Sequence, residues 1–218
     1  MLNYLYNKLL HHFHNPDYRY FTISLILMIV IPSIAPLSQA GHVVLEVTYG
    51  FVILIAAIFT SCNFRELVLF LILGSLAYIL FLGHSDEHFI RLVRAGVTTS
   101  FFGLVFWNLV RFILRTKEVD ANVVLACVSG YLVLGIVAAP LFFIIEDAFS
   151  GSFQIEDSSN FYNFLYFSYI TLTTVGYGDI LPISSLAKSI AVLLSLLGQL
   201  YLTIIVALII GKYLANER

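Results

Sequence analysis

The chain reads as an all-α membrane protein of six transmembrane helices, with a short re-entrant helix and a glycine-bearing loop between helices five and six. Three observations carry that expectation. Of the 218 residues, 60% are hydrophobic and only 11% are charged, well outside the composition of a soluble domain. Apolar runs able to cross about 30 Å of hydrocarbon recur at 20–37, 43–62, 66–83, 89–112, 121–145 and 186–213. The rhythm breaks between 146 and 185, where a shorter aromatic stretch leads into glycines.

The first 19 residues place Leu2, Tyr4, Leu5, Leu9, Leu10 and Phe13 among polar neighbours, a pattern that predicts a short interfacial helix. His11, His12 and His14 in the same segment suggest a metal site or a pH sensor. Three histidines without a fourth ligand are also accounted for by a solvated surface. Residues 21–37 followed by Ser38-Gln39-Ala40 superficially resemble a signal peptide, but the apolar region is long and the preceding stretch weakly basic. A retained first span is therefore expected.

Glu46 in span two lies at a depth similar to that of Arg91 and Arg94 in span four. A lone carboxylate in a membrane is expensive, so an ion pair between them is expected. Cys62 and Cys127 sit in or beside spans and offer neither a disulfide framework nor metal spacing, which leaves core packing as their role.

Span four is where voltage sensing would be sought. A sensor needs arginine at every third position through the field. Arg91 and Arg94 begin such a series, but Val97, Ser100 and Gly103 come next, and Arg111 and Arg115 appear only at the far end. Both pairs are read as interfacial anchors.

Cations set the orientation. Lys8, Arg19, Arg65, Arg111, Arg115, Lys117, Lys212 and Arg218 share one side, whereas His42, His84, Asp86, Glu87 and His88 lie on the other. Arg91, Arg94 and Lys188 are exceptions. The bias predicts that both termini are cytoplasmic. The expected organisation is an N-terminal segment at 1–19, a four-helix membrane domain at 20–115, sensor-like but not voltage-sensing, and a second membrane domain at 116–218.

Within that last domain, Phe161 to Thr173 is a glycine-free stretch too short to cross a bilayer. Thr174 to Gly178 then read TVGYG. Glycine visits positive φ at no steric cost, so Gly176 and Gly178 let successive carbonyls point to one side. Four such strands around an axis would stack rings of oxygens that replace the water shell of a dehydrated ion. A glycine-rich turn between two helices is the plainer alternative. The helix end before the loop carries a partial negative charge that favours a cation below it. Pro182 breaks the chain after the loop, Ser184 or Ser185 can cap the next helix, and Ser189 to Leu214 give a full span.

Helix, short helix, TVGYG, helix: over roughly residues 120–215 this arrangement resembles the pore domain of tetrameric potassium channels. The run Gly198-Gln199-Leu200-Tyr201-Leu202 looks like that of prokaryotic six-helix members without a sensor arginine array. The resemblance implies potassium binding at Thr174, Val175, Gly176 and Tyr177, with Gly178 completing the selectivity filter. It implies filter support from Thr173, Asp179, Tyr166 and Phe167, with the Tyr166 hydroxyl bonding the Asp179 carboxylate. It also implies a hinge at Gly198. Two departures bear on filter rigidity: Phe167 lacks the polar atom a tryptophan would offer Tyr177, and Ile170 stands where some members carry a buried glutamate.

Below Gly198, helical spacing brings Gln199, Leu202, Val206 and Ile210 to one side. Gln199 would face a wet cavity, and four copies of Val206 and Ile210 could form a ring that gates by dewetting. Ordinary helix packing explains the same apolar residues. Glu146, Asp147, Glu156, Asp157 and Asp179 cluster outside, either to concentrate cations at a mouth or as a solvated turret.

The expected function is passive potassium conduction by a homotetramer with weak or no voltage dependence, in a prokaryotic inner membrane. Its partners are potassium, membrane lipid and its own copies, with no cofactor and no nucleic acid. The chain ends about one turn past its last span, so no cytoplasmic sensor is expected. One loop per chain requires four chains. The alternatives are an uptake carrier, which usually has four degenerate loops per chain, and a regulatory subunit, which an intact filter disfavours. No nucleophile, metal or phosphate-binding constellation suggests an enzyme.

Overall fold

The computed structural model describes residues 17–34, 39–61, 63–83, 87–116, 118–158 and 160–216; side chains at 32–34, 39–43, 45–46, 213 and 215–216 fall outside that description. The expected interfacial helix, the His11/His12/His14 cluster, Cys62 and the Glu46 side chain therefore lie outside the described residues.

The fold is all-α. Seven helices are described: α1 (Tyr18–Ile34), α2 (Gln39–Thr60), α3 (Phe64–Leu82), α4 (His88–Arg115), α5 (Ala121–Ala148), α6 (Phe161–Leu172) and α7 (Ser185–Asn216). Among the described residues four are long and apolar enough to cross a membrane, namely α3, α4, α5 and α7 from Ser185 to Lys212. The apolar described stretches of α1 and α2, Tyr18–Ile31 and Val47–Thr60, are shorter.

Two compact units divide the chain: Met1–Gly83 with Leu104–Gly130, and His84–Gly103 with Tyr131–Arg218. In the first unit, Phe21, Leu25, Val52, Leu109 and Ile113 are fully or almost fully buried. Its helices are also joined by polar contacts. The Tyr18 amide donates to Asn122 Oδ1 at 2.8 Å, and the Thr22 and Ser129 hydroxyls lie 2.8 Å apart. Asn108 donates to the Thr60 carbonyl at 3.1 Å, near the end of α2 where helix carbonyls lack intrahelical partners. Arg111 meets Glu66 at 3.5 Å and lies over the Trp107 ring.

In the second unit, an aromatic core joins α5, α6 and the segment between them. Phe142, Phe153, Phe164 and Phe167 are buried, with edge-on ring contacts of 4.9–5.7 Å among them. Edge-on geometry places positive ring edges against negative faces. Two short strands, β1 (Phe153–Gln154) and β2 (Leu181–Pro182), pair antiparallel with Phe153 opposite Pro182. Ile183 N donates to Ser152 O at 2.7 Å. This clasp ties the chain before α6 to the chain after the glycine loop.

Helix α7 is different. Only 11% of its most apolar stretch is buried within the chain. Leucines, valines and isoleucines on several of its sides are exposed, so it presents apolar surface to lipid or to further protein.

Candidate functional site

Helix α6 starts where the Asn160 side chain accepts from Tyr162 N at 3.0 Å, and it ends at Thr173. Its 12 residues reach about 18 Å. That is short of the roughly 30 Å hydrocarbon core.

The manner of its ending shapes the loop beyond it. A helix end leaves four carbonyls without intrahelical donors, and here each of the last four has another partner. Tyr169 O accepts from Thr173 N at 2.9 Å and from the Thr173 hydroxyl at 2.7 Å. Ile170 O accepts from Gly176 N at 3.1 Å. Thr171 O accepts from Thr174 N at 3.0 Å and from the Ser195 hydroxyl of α7 at 3.1 Å. Leu172 O accepts from the Tyr131 hydroxyl of α5 at 3.2 Å. The loop is thus folded back onto its own helix, and the junction is held from two further helices.

The loop backbone alternates. Thr174, Gly176 and Gly178 have φ of 59°, 54° and 81°, whereas Val175 and Tyr177 lie outside the positive region. Alternating handedness is the geometry that lets successive carbonyls share a side. The positive φ expected at the two glycines is present, and Thr174 adds a third. A β-branched residue at positive φ is an outlier, costing about 1–3 kcal/mol, and such strain concentrates at functional positions.

Residues Thr173 to Asp179 are all exposed in the single chain, with Tyr177 at 74%. A Cβ placed on Gly176 or Gly178 would meet nothing within 4 Å. At these two glycines the loop therefore borders space that its own chain leaves open.

Around the loop, Tyr166 hydrogen-bonds the Asp179 side chain, and that bond is the main reason its phenol sits above the ordinary range. Phe167 faces elsewhere: it is 4% exposed and packs on Phe142 and Phe153, so it supports α6 through the aromatic core. Ile170 is buried and contributes its carbonyl. Ser184 caps α7, its hydroxyl accepting from Ala187 N at 3.2 Å.

Gly198 lies against the end of α6. A Cβ there would collide with the Leu172 carbonyl oxygen and come within 2.9 Å of Leu172 Cδ1. Helix α7 continues unbroken through this position. Gln199, Leu202, Val206 and Ile210 are exposed below it, as are Val192, Leu193, Leu196 and Leu200 on the same helix.

Two of the carboxylates expected outside belong to the scaffold. Glu146 is 8% exposed and accepts from Gly151 N and Phe153 N, both at 2.9 Å. It closes the turn after α5, because those amides would otherwise be left without partners. Asp147 is paired with Arg91 at 2.7 Å and with His88 Nδ1 at 2.7 Å. Arg91 therefore has a carboxylate partner on α5. Glu156, Asp157 and Asp179 remain exposed. Cys127 is buried, as core packing requires.

Sequence reasoning missed Tyr131, Tyr169 and Gly135. The Tyr169 ring lies where a Cβ on Gly135 would stand, and its hydroxyl donates to Leu132 O at 2.7 Å. Ser168 donates to Gly135 O at 2.8 Å. A tyrosine four residues before a glycine in an otherwise apolar span was the available signal.

Residues 127–215 match the family model described as ion channel. The match covers α5 from Cys127, the whole of α6, the glycine loop and nearly all of α7. It supports an ion channel family and an integral membrane protein, and it points to a channel rather than an enzyme. Neither a curated protein nor a solved structure matches the chain.

Proposed function

We propose that this chain is the pore-forming subunit of a potassium-selective channel, a homotetramer that conducts passively through carbonyls of Thr174, Val175, Gly176 and Tyr177. The observation that carries the proposal is the alternating backbone of an exposed TVGYG loop at the end of a helix of only 12 residues. Four copies around an axis would stack those carbonyls into rings able to replace a hydration shell. The exposed apolar sides of α7 supply the surface that neighbouring copies and lipid would cover.

In this proposal α1 to α5 and α7 are six spans, α6 is re-entrant, and both termini are cytoplasmic in a prokaryotic inner membrane. Residues 116–218 form the pore domain, with 1–19 at the interface and 20–115 as a four-helix domain that does not sense voltage. Gly198 is the hinge, Gln199 and Leu202 line the cavity, and Val206 and Ile210 form the gate. Potassium is the permeant ion, and no cofactor or nucleic acid takes part.

The test is flux from purified protein in liposomes, with potassium gradients against sodium gradients and with voltage varied. Potassium flux with unitary current steps and shallow voltage dependence is expected. Equal sodium flux would remove the selectivity assignment, and turnover without unitary steps would indicate a carrier.

A further inference from the structure

Tyr131 touches two elements to which a channel gives different tasks. Its hydroxyl donates to Leu172 O, two residues before Thr174, at 3.2 Å. Its ring lies 5.9 Å from the Tyr201 ring of α7, tilted by 37°. Tyr201 is three residues beyond Gly198, and Gly198 itself lies against the Leu172 carbonyl. A tyrosine side chain is a rigid plate turning on two torsions. The Tyr131 side chain thus reaches from the Tyr201 ring to the Leu172 carbonyl.

We infer that Tyr131 is a positioning residue through which α7 acts on the 174–178 loop. The inference rests on the potassium-channel proposal, because it needs α7 to be the moving element and the loop to bind the ion. Tyr131 touches no ion. It holds the last carbonyl of α6, where the helix carries its partial negative charge. With the hydroxyl bond made, Leu172 and the adjoining Thr174 ring are held in register. A shift of α7 that carries Tyr201 away loosens that carbonyl and, with it, the innermost binding position. The phenol thus gives the inner helix a route to the loop that does not pass through the pore.

The experiment uses the assembled tetramer in detergent and titrates potassium and sodium chloride against its melting midpoint, which yields an apparent potassium affinity. Tyr131→Phe keeps the ring and removes the hydroxyl. The expected loss of potassium affinity is about twofold to tenfold, the range of one neutral hydrogen bond, with a smaller change in sodium. A bond that merely held helices together would lower the midpoint equally in both cations, and that result overturns the inference. Tyr201→Leu keeps apolar volume and removes the ring contact. It is expected to change potassium affinity in the native background and to leave it unchanged in Tyr131→Phe. Equal effects in both backgrounds overturn the coupling. Should Tyr131→Phe fail to assemble, Tyr201→Leu alone still decides, because unchanged potassium affinity in it removes the lever. A native tetramer without potassium-specific stabilisation would instead retire the potassium reading, and this inference with it.

Discussion

Gly198 of α7 lies directly against the main-chain carbonyl of Leu172, the last residue of α6, so closely that no side chain can stand between them. The carbonyl cannot retreat without breaking its bond from Tyr131. Gly198→Ala is therefore expected to destabilise the protein by about 1–3 kcal/mol per chain, as overpacking does. Gly211 on the same helix is the control, since a Cβ there meets nothing within 4 Å. Gly211→Ala should be neutral or stabilising by up to about 1 kcal/mol, the difference in helix propensity. Thermal denaturation of the two variants measures both. Equal stability for the two would show that position 198 is chosen for bending alone.

Gly176→Ala places a Cβ in open space within the chain but at φ 54°, so its cost is torsional. That cost is about 1–2 kcal/mol per copy, and four copies add. The expected outcome is loss of potassium selectivity or of conduction with the tetramer still recovered. Liposome flux alongside size-exclusion chromatography separates the two readouts. Native selectivity in this variant would remove the loop from the ion pathway.

The Asp179 carboxylate that raises the Tyr166 phenol predicts an alkaline pH dependence at this end of the loop. The phenol is held above its ordinary value of 10.0, first by that hydrogen bond. Stabilisation from a raised group is complete below its unfolded value and is lost as pH rises through the folded one. Conduction should therefore hold to about pH 10 and then fade, and Tyr166→Phe should show the weaker, unbraced behaviour at neutral pH. Comparing decay of current in low potassium between the native chain and Tyr166→Phe checks it. Identical decay would assign the bond to the surface rather than to the loop.

Arg91 carries a different expectation from that of a voltage sensor. Its partner Asp147 has a side chain only 9% exposed, so Arg91→Gln leaves a mostly buried carboxylate short of a donor. A loss of about 1–3 kcal/mol is expected, the range for a charge-assisted hydrogen bond, relieved in part by adding Asp147→Asn. The conductance–voltage relation should keep its slope. A steep relation abolished by Arg91→Gln would make α4 a sensor, since each charge crossing the field is worth about 2.3 kcal/mol per 100 mV.

What the sequence by itself determined is local. Apolar runs marked the helices, the Ser184-Ser185 pair announced the start of α7, and Gly176 and Gly178 announced positive φ, because each depends on a residue's own torsions or immediate neighbours. Tertiary structure decided the pairings. Arg91 found Asp147, 56 positions away, and Glu146 turned inward to close a turn. Phe167 joined an aromatic core instead of the loop, and Tyr131 reached a carbonyl 41 positions along the chain. Helical periodicity says which face a residue occupies but not which helix lies opposite. A buried polar atom takes whichever partner packing brings within about 3 Å, and that choice exists only once the helices have met.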